Sequence, residues 1–228
     1  VIIVGCPVYE RAWVLNQWFD HLANTTQPLH FIFNYTPGTD NTLETITHRA
    51  NKFASVEIIE TTTGTHSTDR NWGERARIET LVDLRNNLLD AVCAQSPDYF
   101  FSLDSDILVP KNVFTAMIEA VKHYDAVSPL VYLGQGSITN GFTYDGHVRR
   151  RLKVYNALQV SHVICAAKFM TPDVYRNVRY EYHPQGEDIA WSDNARGAGF
   201  RLGVDSSVRC KHVMYRRQLE EVDSRVGF

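Results

Sequence analysis

Cysteine is sparse in this chain of 228 residues, long apolar runs are missing, and neither sign of charge dominates. The four cysteines, Cys6, Cys93, Cys165 and Cys210, form no Cys-x-x-Cys pair, and the first three fall in apolar segments where a free thiol packs as a small hydrophobe. A cytoplasmic or other reducing compartment is the simplest expectation. No apolar stretch is long enough to span a bilayer and no signal peptide precedes the first strand, so no transmembrane segment is expected in this chain. The first residue is not Met and lies directly in a strand-like run, which leaves a natural anchor or flanking domains open. A formal net charge of -3 gives no support to a non-specific polyanion binder, although a local basic groove is compatible with it. The basic run Arg149-Arg150-Arg151 reads as a solvated hairpin tip. Repeats and low-complexity linkers are also lacking, so residues 1–228 are expected to form a single domain.

What is present is an ordinary globular composition, 44% hydrophobic and 21% charged, laid out as alternating strands and helices. Val1-Ile2-Ile3-Val4, Phe31-Ile32-Phe33, Val56-Glu57-Ile58-Ile59 and Ala126 to Tyr132 read as strands, and Val163 to Ala167 as a later return to the sheet. Between them Val14, Leu15, Trp18 and Leu22 recur at helical spacing, as do Phe114, Met117, Ile118 and Val121. Strand and helix in alternation imply right-handed crossovers and a mostly parallel sheet with its carboxyl ends on one rim. From Gly134 to Asn156 the rhythm breaks. Gly-Gln-Gly, Asn140-Gly141 and Asp145-Gly146 suggest hairpins or a flap there.

The chemistry gathers at strand ends. Tyr99-Phe100-Phe101-Ser102-Leu103 is an apolar run without helical spacing, expected to lie in the middle of the sheet, and it runs into Asp104-Ser105-Asp106. Ligands of open α/β sheets bind at the carboxyl rim, and two acids one residue apart there can reach a divalent cation or a polar ligand. In the preceding helix, from about Glu74 to Ala94, Arg85 falls at the centre of the apolar arc formed by Ile78, Leu81, Val82, Leu88, Leu89 and Val92. Such an arginine either pairs with a buried carboxylate or reaches an anionic ligand. Glu187-Asp188 opens a later helix, and His212 ends the last strand-like stretch.

Taken in order, these pieces resemble the GT-A class of glycosyltransferases, particularly its family 2-like members, over most of the chain. Pro7-Val8-Tyr9-Glu10-Arg11 resembles the family's Pro-x-Tyr-Asn-Glu loop, and Gly38-Thr39-Asp40-Asn41-Thr42 its second-strand loop. Asn34 stands where an acid commonly reads the nucleotide base. Leu84-Arg85-Asn86 resembles the Ala-Arg-Asn motif of the nucleotide side, Leu103-Asp104-Ser105-Asp106 the Leu-Asp-x-Asp motif, and Glu187-Asp188 the Glu-Asp motif. Fungal mannan-polymerase-type mannosyltransferases share this order, so stereochemistry stays open.

The resemblance implies a Rossmann-like open sheet flanked by helices, with a small antiparallel flap. It further implies a hexosyl- or N-acetylhexosaminyltransferase that uses Mn²⁺ or Mg²⁺ and a nucleotide-sugar donor, a UDP-sugar ahead of GDP-mannose. By the same token Pro7, Tyr9, Glu10, Asn34, Arg85 and Asp104 would contact the donor nucleotide. Asp104, Asp106 and His212 would serve the metal, and Asp188 with Glu187 would be catalytic, Asp188 as general base. The acceptor class stays open among saccharide, lipid, protein and hydroxylated nucleobase. A flap from Gly134 to Tyr155, with the stretch after His212, is expected to close over donor and acceptor. The rivals fit less well. A nucleotidyltransferase would show a Gly-rich basic loop after the first strand, and an aspartyl phosphatase would carry Thr or Val where Leu108 stands. A non-catalytic sugar-nucleotide or glycan-binding module is the remaining alternative.

Overall fold

The computed structural model describes residues 1–25, 27–50, 52–62, 74–132, 139–145, 148–152 and 156–220. The chain opens with β1 (Ile2–Val8), α1 (Ala12–Ala23), β2 (Leu29–Tyr35), α2 (Thr42–Ala50) and β3 (Ser55–Glu60). Next come α3 (Arg75–Gln95), β4 (Tyr99–Leu103), the short β5 (Ile107–Leu108), α4 (Val113–Ala120) and β6 (Ala126–Tyr132). The remainder is β7 (Gly141–Asp145), β8 (Val148–Arg151), β9 (Leu158–Ser161), β10 (Val163–Ile164), β11 (Ala167–Met170), α5 (Pro172–Asn177), α6 (Glu187–Gly197) and β12 (Leu202–His212). A 3₁₀ turn over Arg216–Leu219 follows.

One sheet organises these elements in the order β3-β2-β1-β4-β11-β6-β12-β5, with β9 also paired to β12. Pairing is parallel from β3 through β4 and again between β6 and β12. The expected mostly parallel sheet is therefore present, with a difference at its centre. β11 runs antiparallel to both β4 and β6, so one side of the acid-bearing strand faces a reversed neighbour. The return to the sheet is also displaced. Val163 and Ile164 belong to a separate three-stranded antiparallel sheet, β10-β7-β8, and Ala167 to Met170 form the core strand instead.

Alternation along the strands buries both faces. Val4, Cys6, Phe31, Phe33, Phe101 and Leu103 pack with Val14, Trp18 and Phe114 of α1 and α4. Their neighbours Ile3, Ile32 and Phe100 pack with Leu88, Leu89 and Trp191 of α3 and α6. A period of two with both faces apolar is the pattern of a sheet covered by helices on each side. β3 is the exception, an edge strand whose Ser55, Glu57 and Ile58 are exposed.

All four cysteines are free thiols. Among the described residues no helix is long and apolar enough to cross a membrane. Arg150 and Arg151 lie in β8, paired with Thr143 and Phe142, rather than at a hairpin tip. Residues 133–138, 146–147, 153–155 and 221–228, which carry much of the expected flap and the Gly-Gln-Gly signal, lie outside the described residues.

Candidate active site

Register builds the rim. β4 ends at Leu103, so Asp104 and Asp106 lie in the turn that joins it to β5. β5 then pairs with the far end of β12, setting His212 opposite Ile107, and the Val213 N–H donates to the Asp106 carbonyl at 2.8 Å. Two residues more than a hundred positions apart thereby become neighbours. His212 Nε2 stands 3.5 Å from Asp106 Oδ1, with side chains 10% and 16% exposed. The backbone of Asp104 is pinned from both sides of the sheet. Its carbonyl accepts the Trp18 indole N–H at 3.1 Å, and its N–H donates to the Ala166 carbonyl at 3.1 Å.

Arg85 explains its place on an apolar helix face. Only 4% of its side chain is exposed. Its guanidinium donates to Asp104 Oδ1 at 2.8 Å, to Glu187 Oε1 at 2.9 Å and to Ser102 Oγ at 3.4 Å. The strand-end acid and the helix-opening acid are therefore bridged by one planar cation, the geometry in which guanidinium exceeds ammonium. Burial would lower its pKa, but Asp104, Asp188 and Glu187 outweigh that and raise it.

Gly186, at φ 120°, turns the chain into α6 and delivers Glu187 and Asp188 in its first turn. Asp188 is ion-paired with Lys168 of β11 and accepts the Ala166 N–H at 3.2 Å. The Lys168 side chain has no exposed surface, and its ammonium lies 5.1 Å from the Tyr180 ring centroid and 5.3 Å from that of Trp191.

The charges divide the acids into two kinds. Burial raises Asp104 and Glu187 above the usual carboxylate range, aided by neighbouring carboxylates and only partly opposed by Arg85. Burial acts the same way on Asp188 and Asp106 but loses there. Lys168 and Arg85 hold Asp188 below its ordinary value, and His212 with Arg11 does the same for Asp106. Burial would lower His212, and Asp106 raises it. Perturbed acids of this kind cluster at functional sites and also arise in structural ion-pair networks.

The expected nucleotide residues are distributed unevenly. Pro7 and Tyr9 stand half-buried at the end of β1. Glu10, at φ 48°, accepts the Thr39 N–H and hydroxyl at 3.1 and 2.9 Å. Gly38 permits that contact, since a Cβ there would come within 2.6 Å of Glu10 Cγ. Asn34 is fully buried, donating to the Leu84 carbonyl at 3.0 Å and accepting from Thr61 Oγ1 at 2.7 Å. Both ends of its amide are taken up inside the protein. Asp40 and Thr42 accept the Ala12 N–H, and Thr42 also that of Arg11, so the second loop caps α1.

Sequence reasoning missed Lys168 and Arg11. Lys168 carries a signal, a lone lysine in the apolar run Ala166-Ala167-Lys168-Phe169-Met170, but it lies one residue beyond the expected strand Val163 to Ala167. Arg11, whose NH2 stands 3.8 Å from Asp106 Oδ2, occupies the acid position of the loop motif and reverses its charge.

For a divalent cation, the fit lies in donor chemistry. Asp106 and His212 offer carboxylate oxygen and imidazole nitrogen on one rim, a mixed set that Mn²⁺ accepts. Among the described residues no three His, Cys, Asp or Glu side chains converge, so a ligand would have to complete the shell. A separate cavity lies elsewhere. About 770 Å³ in volume, it is lined by Tyr124, His162, Phe200 and Arg201 at the opposite end of β12 from His212.

This sheet order, mostly parallel with β11 reversed at its centre and β5 and β9 reversed against β12, together with a small antiparallel sheet, is the GT-A fold. Staphylococcus aureus TarS residues 1–349 match with a TM-score of 0.62 at 16% identity, over 91% of this chain and 59% of that one. The same protein in complex with UDP-GlcNAc matches at 0.62 and 15% identity, over 98% and 62%. GalNAc-T7 with UDP, GalNAc and Mn²⁺ matches at 0.64 and 13% identity, over 93% and 43%. The chain thus spans about three fifths of the TarS 1–349 structures and less of GalNAc-T7, and at these identities the likeness is one of fold. No protein-family model and no curated protein matches.

Proposed function

We propose that the chain is a glycosyltransferase that moves a sugar from a nucleotide-sugar donor, a UDP-sugar by preference, to an acceptor hydroxyl. The observation that carries this reading is the Arg85 bridge, which joins the strand-end acid Asp104 to the helix-opening acid Glu187 at 2.8 and 2.9 Å. Motifs about 80 residues apart in the chain meet at one rim. The fold supports the same reading, since solved structures sharing it hold UDP-GlcNAc in one case and UDP, GalNAc and Mn²⁺ in another.

Glycosyl transfer needs the departing diphosphate neutralised, the acceptor hydroxyl deprotonated and the anomeric carbon held in line between them. Asp106 and His212 would hold Mn²⁺ or Mg²⁺, which when bound supplies positive charge at the leaving diphosphate. Asp104, fixed by Arg85 with 28% of its side chain still exposed, would face the donor ribose or the cation. Arg85 would place Asp104 and Glu187, which accept from its guanidinium at 2.8 and 2.9 Å. Asp188 is the proposed general base. As a carboxylate it would accept the hydroxyl proton as the bond to the sugar forms, a contribution of about 10²–10⁴-fold.

The test is release of free nucleoside diphosphate from a panel of UDP- and GDP-sugars with Mn²⁺, Mg²⁺ or EDTA, comparing wild type with Asp106→Asn. Turnover of one donor that needs both cation and Asp106 is expected. Absence of turnover together with absence of nucleotide binding would contradict the reading.

A further inference from the structure

Lys168 is a costly residue to bury. An ammonium without exposed surface must be paired, and a paired buried charge seldom stabilises a protein more than an apolar side chain of similar size. Its presence calls for another account. Strand register supplies the geometry. Lys168 lies opposite Ser102 in the β11–β4 ladder, which puts it on the face shared by Ser102, Arg85 and α6. From there its ammonium pairs with Asp188, while Ala166, two residues earlier on the same segment, donates its N–H to the other Asp188 oxygen. One short segment thus holds both oxygens of the acid. Tyr180 and Trp191 flank the ammonium at 5.1 and 5.3 Å and leave it little room to turn elsewhere.

The other charges around Asp188 do not do this. Arg85 on α3 is engaged by Asp104 and Glu187, and Glu187 beside it on α6 and Asp104 on the rim are carboxylates that repel it. Lys168 is the cation that bonds it directly.

We propose that Lys168 is a positioning residue for sugar transfer, fixing the Asp188 carboxylate in place without itself touching donor or acceptor. The inference rests on the glycosyltransferase reading of this rim. It explains why a lysine stands in the strand at the centre of the sheet, where the fold alone calls for an apolar side chain.

The experiment uses the full chain and the UDP- or GDP-sugar that wild type turns over, with water or the identified acceptor accepting the sugar. Lys168→Met should lower kcat about 10²-fold while KM for the donor changes less than about threefold, and Lys168→Arg should recover at least about a tenth of wild-type kcat. The decisive comparison is non-additive. In an Asp188→Asn background the lysine has no carboxylate to place, so K168M/D188N should turn over donor at the rate of D188N. A double variant about tenfold slower than D188N, or a K168M variant that loses kcat and UDP affinity equally, would overturn the proposal. If K168M does not fold, the double variant, which buries no unpaired acid, carries the comparison. Failure of that variant to fold would assign Lys168 to the fold and also overturn the proposal. Absence of wild-type turnover with every donor would overturn the transferase reading and this inference together, whereas wild-type turnover with unaltered K168M would overturn the inference alone.

Discussion

The two flanks of the rim are built differently. On one, Arg85, Asp104, Glu187, Asp188 and Lys168 form a buried network with guanidinium bonds of 2.8 and 2.9 Å and a lysine without exposed surface. On the other, Asp106 faces His212 at 3.5 Å and Arg11 at 3.8 Å, and the Arg11 side chain is 31% exposed. Among the described residues, buried His212 Nδ1 and Arg11 Nε find no hydrogen-bond partner. The first flank has satisfied its charges internally and holds its acids in fixed places. Charges on the second are only loosely met from within the protein, as a surface prepared for a charged ligand would be. Under the proposed transfer reaction, the fixed acids would serve the transition state and the second flank the departing diphosphate.

Substitutions should separate the flanks. The largest effect on stability is expected from Arg85→Met, which leaves Asp104 and Glu187 without their buried cation, at a cost of about 3–5 kcal/mol. Urea unfolding monitored by circular dichroism reads it directly, and a loss under about 1 kcal/mol would dissolve the distinction between the flanks. Asp106→Asn should do the reverse. Turnover is expected to fall about 10²-fold or more while the unfolding midpoint stays near that of wild type.

A pH series sharpens the comparison within the buried flank. Asp188 has its pKa held below the ordinary 3.8 in the folded protein, so its charge contributes stability that is present above that value and is lost as pH falls through the lower folded value. The stability difference between wild type and Asp188→Asn should therefore be constant near neutrality and narrow below about pH 4. A difference that widens on acidification would mean that Lys168 does not hold this acid. The smallest effect is expected from Arg11→Ala. Its ion pair is long and partly exposed, and thermal unfolding should register no more than about 1 kcal/mol.

The sheet and half of the rim were legible in the residues because each carried a local signature. Apolar runs of three to seven residues marked β1, β2, β4 and β6, and Arg85 betrayed itself as a charge on an apolar arc. The reversal of β11 left no such mark, since a short buried strand reads alike in either direction. Lys168 stands out as a lone lysine in an apolar run, but the run alone does not say what it faces. Its meaning depends on the ladder that sets it opposite Ser102, and register between strands distant in sequence is a tertiary fact. Asn34 shows the converse. Its position at the end of β2 was read correctly, but only packing reveals that its amide is consumed by Leu84 and Thr61.

The central claim is that the Asp106 rim receives a donor nucleotide with the help of a divalent cation. Calorimetric titration of UDP into wild type and Asp106→Asn, each with Mn²⁺ and with EDTA, tests it most directly. Binding to wild type that weakens at least about tenfold on removing Mn²⁺, and equally on replacing Asp106, is the expected result. UDP that binds all four samples alike, or none of them, would contradict the account.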